Sequence, residues 1–436
     1  MPWNVIAQVG NDTYCPPLDP SEARFVATID KPDDSRGISH NILSDVFKAG
    51  LRPTQTAIDL LNFAEIVYTA DLRIWRGYNS EDAWTRDIAV HFPVSNPELW
   101  TTAGPQIKEF LSFLTGDEWN LSFRAKVPSP EPTVGTPPLI KPDSVCLFSG
   151  GLDSFVGAID LLADGHHLAL VGHYGQTQRE LAASFEALRP KYKERMMPLW
   201  FYLVPPCASD EQIVESTMRA RSILFLALGT CVASALDAGS PLYVPENGLI
   251  SLNVPLTYGR VGTHSTRTTH PHTIYLYRKV LQALGISVEL KTPYRFLTKG
   301  EMLGNCKDQD ALKSGIHSTM SCSHPQAGRF HKRPVGQHCG YCVPCIIRRA
   351  SMHSVGLDDE PRNTDVLSAS VRANEAAGYD KRAYLMAISR LKSMSQLQIT
   401  SELMSAGPLE AAELDGLVRV YVRGMKEVET FLRQKQ

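Results

Sequence analysis

The ten residues VCLFSGGLDS, from Val145 to Ser154, leave this chain few ways to fold. Val145 to Phe148 read as a short buried strand, Ser149 to Ser154 as a turn, and the residues up to Ala163 as an amphipathic helix. Adjacent glycines, Gly150 and Gly151, let a backbone turn sharply with no Cβ in the way, so that several amides converge on an anion at a helix N-terminus. Ser149 and Ser154 add hydroxyl donors, and Asp153 is placed to hold Mg²⁺ against bound phosphates. The spacing is not the G-x-x-x-x-G-K-[ST] of kinases and GTPases, which occurs nowhere in the chain. A glycine–serine turn that merely caps a helix would not need Asp-Ser after the glycine pair.

The surrounding pattern extends the argument. Strands are predicted near 145–149, 168–173, 199–204, 242–244 and 287–291, with helices near 154–164, 178–195, 211–236 and 271–284. Such alternation predicts a doubly wound parallel sheet, an α/β fold whose ligand lies beyond the carboxyl ends of the strands. At 436 residues the chain is long enough for two or three domains. Residues 1–125 read as a small α+β domain: strands over Arg24–Ile29, Ala89–Val94 and Leu121–Ala125, helices over Thr54–Ala70 and Thr102–Leu114. Trp75, Trp84, Trp100 and Trp119 fall in this domain, either as core or as a partner surface. Residues 126–142 carry Pro128, Pro130, Pro132, Pro137, Pro138 and Pro142 and read as a stiff linker. The phosphate-binding domain then spans 143–350, and helices near 365–373, 380–394, 397–405 and 408–433 fill residues 351–436.

A second constellation lies downstream. Cys339, Cys342 and Cys345 form C-x-x-C-x-x-C, and sixteen residues separate Cys322 from Cys339. Four thiolates on short loops close a tetrahedral Zn²⁺ shell with no open position, a structural site that can contribute on the order of 10 kcal/mol to ordering its own loops. An iron–sulfur cluster, a redox thiol pair, or a shell with His324 or His338 in place of Cys322 are the alternatives.

The phosphate turn and the cysteine cluster together resemble the QueC family of 7-cyano-7-deazaguanine synthases, PP-loop enzymes of the adenine nucleotide alpha hydrolase-like fold that split ATP between its α- and β-phosphates. The resemblance spans about 144–350. Met218 to Ser222 matches an arginine-bearing segment that contacts ATP phosphates, which assigns Arg219 and Arg221 to ATP. Thr298-Lys299-Gly300-Glu301 corresponds to an [ST]-K-x-E segment near the substrate, implying catalytic roles for Lys299 and Glu301 beside Asp153 and Arg221. Thr319 to Cys322 matches the lead into the first zinc ligand. The enlarged chain further resembles the QueC-like component of the bacterial Qat anti-phage system. That branch implies an ATP-dependent ligase that joins a 7-deazaguanine to the N-terminus of a protein partner.

Between these motifs, Glu246 to Pro271 is a polar stretch after a predicted strand end, where an α/β sheet builds its pocket. Arg260 and Arg267 are suited to grip a carboxylate or phosphate, Asn247 and Asn253 to read a base edge, and Glu246 to bind substrate with them. His173, ending the second predicted strand of the sheet, is suited either to a place near the adenine or to simple packing. With 44 basic against 46 acidic residues the net charge is −2, which provides no global field for nucleic acid. The longest apolar run, Ile223–Leu236, suits a core helix better than a membrane span, and the N-terminus lacks the pattern of a secretory signal. The expected location is therefore the cytoplasm.

Overall fold

The computed structural model describes residues 2–31, 34–80, 82–128, 133–175, 178–206, 215, 219–257, 267–326, 336–368, 371–372 and 375–434. The N-terminal unit contains β1 (Trp3–Val9), β2 (Arg24–Ile29), β3 (Ser39–His40), α1 (Ile42–Lys48), α2 (Gln55–Arg73), α3 (Arg76–Asn79), β4 (Asp87–Val94), α4 (Pro97–Thr115) and β5 (Glu118–Ala125). Its four-stranded sheet runs in the order β2-β1-β4-β5, and every pairing is parallel. The expected α+β domain is thus an α/β layer. The strand missed in sequence, β1, is an almost continuous apolar run, as a strand buried on both faces must be. Thr54 caps α2 by accepting from the Ala57 amide. Trp100 and Trp119 are buried core residues, while Trp84 is partly exposed.

The second unit contains β6 (Ser144–Leu147), α5 (Leu152–Ala163), β7 (Leu168–His173), α6 (Gln178–Tyr192), β8 (Met196–Phe201), β9 (Leu203–Val204), α7 (Arg221–Ala233), β10 (Pro241–Tyr243), α8 (Gly248–Ser251), α9 (Pro271–Ala283) and β11 (Glu289–Lys291). Five parallel strands lie in the order β11-β10-β6-β7-β8. The chain starts in the middle of this sheet and winds outward in both directions, so the strand order reverses between β6 and β10. A crevice opens at such a switch point, at the carboxyl ends of the two strands. The early part of the helix predicted over 211–236 lies outside the described residues.

The two units share one hydrophobic core. α2 is buried nearly all round, with the first sheet on one side and α7 on the other, and α4 packs against α9. A short antiparallel pairing of β3 with β9 adds a backbone link. A buried ion network completes the junction: Arg86, fully buried, lies 2.7 Å from Asp71 and 2.6 Å from Asp117, and Asp71 accepts the Ala220 amide at 2.8 Å. That last bond fixes where α7 begins, and so where Arg221 sits.

The remaining helices are α10 (Lys299–Gly304), α11 (Gln309–Gly315), α12 (Val343–Ser354), α13 (Ala376–Leu391), α14 (Gln396–Met404) and α15 (Leu414–Leu432). The last four form a cluster with its own core, packed on α8 and α10. The helix expected over 365–373 is a turn across its described start. Asp365 accepts the Leu367 amide through its side chain at 3.0 Å and pairs with Arg349, which favours a turn over a helix. No helix among the described residues is long and apolar enough to cross a membrane.

Candidate active site and metal centre

The turn after β6 is built on Gly150, whose φ of 76° lies in the left-handed region. A Cβ there would stand 2.6 Å from the Leu181 amide nitrogen, so the close approach of α6 also demands glycine. Gly151 opens α5 and has no side chain with which to cap it. The first amides of α5 and its dipole therefore face the crevice, an arrangement that favours an anion. The two serines brace the turn: Ser154 Oγ donates to Gly151 O at 2.9 Å and accepts the Ser149 amide at 3.2 Å, while Ser149 Oγ accepts the Gly151 amide at 3.3 Å. Leu152 is buried beneath them and also borders the crevice.

Asp153 is buried at the base of a cavity of about 320 Å³. Lys299 Nζ lies 2.9 Å from its Oδ1, and Asn247 donates to its Oδ2 from the backbone (3.2 Å) and from Nδ2 (2.7 Å). Burial opposes the charge on Asp153, but Lys299, a hydrogen bond with Glu246 and the Asn247 amide together hold its carboxyl below the usual range. Glu246 goes the other way: burial first, then the Asp153 charge, pushes it well above its ordinary value. The pair thus favours a proton on Glu246 and the charge on Asp153. The cavity walls come from both sides of the switch point, with the β6 turn on one side and Val244, Pro245 and Glu246 after β10 on the other.

The other anticipated residues separate into two groups. Lys299 reaches the cavity from the start of α10, where Thr298 and Glu301 form a reciprocal cap. Glu301 itself does not line the cavity; it pairs with Arg423 of α15 at 2.5 Å. Arg221 packs over the Phe225 ring, 5.0 Å away, and His173 meets the same ring at 5.6 Å. Phe225 lines the cavity, so this cluster forms its flank. Burial, then the Arg221 charge, holds His173 at a pKa of about 4, and neither ring nitrogen has a hydrogen-bond partner among the described residues.

Three residues are engaged in ways that the sequence reading did not anticipate. Asn247 binds Asp153 and caps α8, where a base edge was expected. Arg219 packs 4.0 Å over Trp84 and donates to Thr115 O, and Arg267 packs 4.3 Å over Phe113 and donates to Phe113 O. The N-terminal unit thus occupies both guanidinium groups, and neither residue lines the cavity. Asn253, in the left-handed region at φ 48°, borders a second cavity. Arg260 lies outside the described residues. Sequence reasoning missed Phe225, Thr268, Thr269 and Ser321 on the cavity wall, although the last three lie in stretches marked as polar or as leading to Cys322.

The Sγ atoms of Cys322, Cys339, Cys342 and Cys345 all lie within 4.8 Å of one another, with 4.0 Å between Cys322 and Cys342 and 3.8 Å between Cys339 and Cys345. A tetrahedral shell with metal–sulfur bonds of about 2.3 Å sets sulfurs roughly 3.8 Å apart, so the cluster fits Zn²⁺. Amides of His324 and Cys339 donate to Cys322 Sγ, as second-sphere donors to a thiolate would. His338 Nε2 accepts the Ser321 amide and its Nδ1 faces Glu360, while the His324 ring stacks on Tyr341 and hydrogen-bonds Cys339 and Cys342 at the edge of the cluster. This cluster is coupled to the phosphate turn. The Met320 amide donates to Gly150 O at 2.9 Å, and fully buried Arg348 of α12 binds Ile316 O, Thr319 Oγ1 and both oxygens of Glu360.

No protein-family model matches the chain. Over half its length it is distantly related to 7-cyano-7-deazaguanine synthases. It is 25% identical over 241 residues to that of Leptospira interrogans, covering 50% of this chain and 89% of the other. It is 26% identical over 240 residues to 7-cyano-7-deazaguanine synthase 1 of Sphingopyxis alaskensis (50% and 96%), and 26% identical over 245 residues to the synthase of Novosphingobium aromaticivorans (51% and 94%).

Proposed function

We propose that this protein is a PP-loop ligase that uses ATP to adenylate a carboxylate of the 7-carboxy-7-deazaguanine type and passes the acyl group to an amine. The observation that carries the proposal is the glycine turn and buried Asp153 at the switch point of a parallel sheet, hydrogen-bonded to a segment that ends in a four-cysteine cluster. Distant relatedness to enzymes named for a deazaguanine product supports the substrate class.

ATP phosphates would lie against the amides and hydroxyls of Ser149 to Ser154, with Arg221 flanking them. Asp153 would hold Mg²⁺, whose charge offsets that of the departing pyrophosphate. A carboxylate oxygen attacks the α-phosphorus, pyrophosphate leaves, and an amine then displaces AMP from the acyl carbon. Lys299 keeps Asp153 ionised and in place throughout.

In the reading we favour, the amine is the N-terminus of a partner protein in an anti-phage system. An α-amine with a pKa of about 8 retains a useful neutral fraction near pH 7. The N-terminal unit, lying outside the resemblance to the biosynthetic enzymes, supplies surface that a macromolecular acceptor needs and ammonia does not. The cyano product for which the relatives are named favours a second reading, in which ammonia would be the acceptor and a further ATP would dehydrate the amide to a nitrile. Incubation with Mg²⁺, ATP and 7-carboxy-7-deazaguanine, with and without the proteins encoded beside it, separates the two. A deazaguanine-sized mass gain on a neighbour together with AMP supports conjugation, whereas a free nitrile supports biosynthesis. Absence of AMP under every condition refutes both.

A further inference from the structure

A second cavity, of about 440 Å³, lies between the segment Leu249–Leu256, the start of α12 and the C-terminal helices α13 and α15. Ile250 and Pro344 line both cavities, so the two spaces adjoin. Resting on the adenylation reading, we infer that this second cavity binds the ring of the carboxylate substrate, and that the C-terminal helices therefore set which acyl group is activated.

Three observations carry the inference. Attack on the α-phosphorus needs the reacting atoms about 3–3.5 Å apart, so the acyl substrate must border the nucleotide cavity without filling it. A space entered past Ile250 and Pro344 meets that condition. The walls also suit a flat heterocycle: Tyr384, Tyr421 and Met425 provide aromatic and thioether surface, and Asn253 provides a carboxamide on a backbone held in the left-handed region. Charge then fixes the orientation. Among the described residues no lysine or arginine lines the second cavity, which is bordered instead by the Asp380 carboxylate and the His324 ring, whereas Lys299 lines the first. The neutral ring belongs in the second cavity, and its carboxylate projects past Ile250 toward the phosphates.

The test is carboxylate-dependent exchange of labelled pyrophosphate into ATP by the full chain, using 7-carboxy-7-deazaguanine. Two variants alter the second cavity in opposite senses: Val254→Trp fills it, and Tyr384→Ala removes part of its wall. The expected result is a KM for the carboxylate raised at least tenfold in Val254→Trp, with the KM for ATP within twofold of wild type. Tyr384→Ala, where it folds, should show the same split. Exchange with unchanged carboxylate KM in Val254→Trp would overturn the inference and leave the adenylation reading standing. So would normal exchange with loss only of transfer to the amine, because the cavity would then hold the acceptor. A wild-type protein that catalyses no exchange with this carboxylate while binding ATP would overturn both.

Discussion

Lys299 Nζ rests 2.9 Å from Asp153 Oδ1, closing the phosphate turn with an amine brought from 146 residues further along the chain. Both residues are buried, so neither charge is satisfied by water. Removing the amine leaves the Asp153 charge with only the Asn247 donors and without its ion-pair partner.

Lys299→Met should therefore destabilise the fold by about 3–5 kcal/mol, the cost of leaving one member of a buried pair alone. Asp153→Asn in the same background should recover part of that loss. Denaturant titrations of the two single variants and the double variant measure the coupling; additive losses would show that the pair is not linked. Asp153→Asn alone should abolish AMP release without changing bound zinc.

The turn predicts a contrast between two glycines. Gly150 and Gly165 both have positive φ, 76° and 96°, but a Cβ at Gly165 meets nothing within 4 Å. Gly165→Ala should cost only backbone strain, about 1 kcal/mol, and leave turnover intact. Gly150→Ala adds a collision with the Leu181 backbone, so it should cost more stability and sharply reduce AMP formation. Equal effects on turnover would refute the role assigned to the turn.

Metal removal should reach the nucleotide site through one hydrogen bond. Met320, two residues before Cys322, donates to Gly150 O. Chelation, or Cys322→Ser, should release zinc, raise hydrogen exchange at the Met320 amide and slow AMP formation. Full AMP formation by verified metal-free protein would break the proposed link.

His270 predicts a pH dependence. It is fully buried, its Nδ1 accepts the His272 amide to cap α9, and burial followed by the Arg267 charge holds its pKa near about 3. The folded value is thus below the ordinary 6.5, so the stability from its neutral form is complete above pH 6.5. It is lost as pH falls from there toward 3, by about 1.4 kcal/mol per unit. His270→Asn keeps a capping oxygen but does not titrate, so the stability difference between variant and wild type should change across that window. A constant difference would refute the assignment.

The second sheet was legible because its central strands, β6, β7 and β8, are compact apolar runs alternating with helices, although the edge strand β11 carries Glu289 and Lys291. The N-terminal sheet was less so: β1 pairs with β2 and β4, the latter some 80 residues away, and parallel pairing leaves no turn signal between partners. Among site residues, Asp153, Ser149 and Ser154 follow from a local motif. The roles of Asn247, Arg219 and Arg267 do not, because a carboxamide or guanidinium shows what it can bind but not which distant carboxylate or ring will reach it. Trp84 and Phe113 claimed the two arginines through contacts that only the joined units create.

The core shared by α2, α4, α7 and α9 makes the proline-rich segment a tether rather than a hinge. Its main effect is on concentration: it keeps two complementary surfaces near each other until they meet. Two separate polypeptides, 1–125 and 143–436, should then find one another when refolded together and co-elute as a single species. Each alone would present a bare helical layer to water and aggregate.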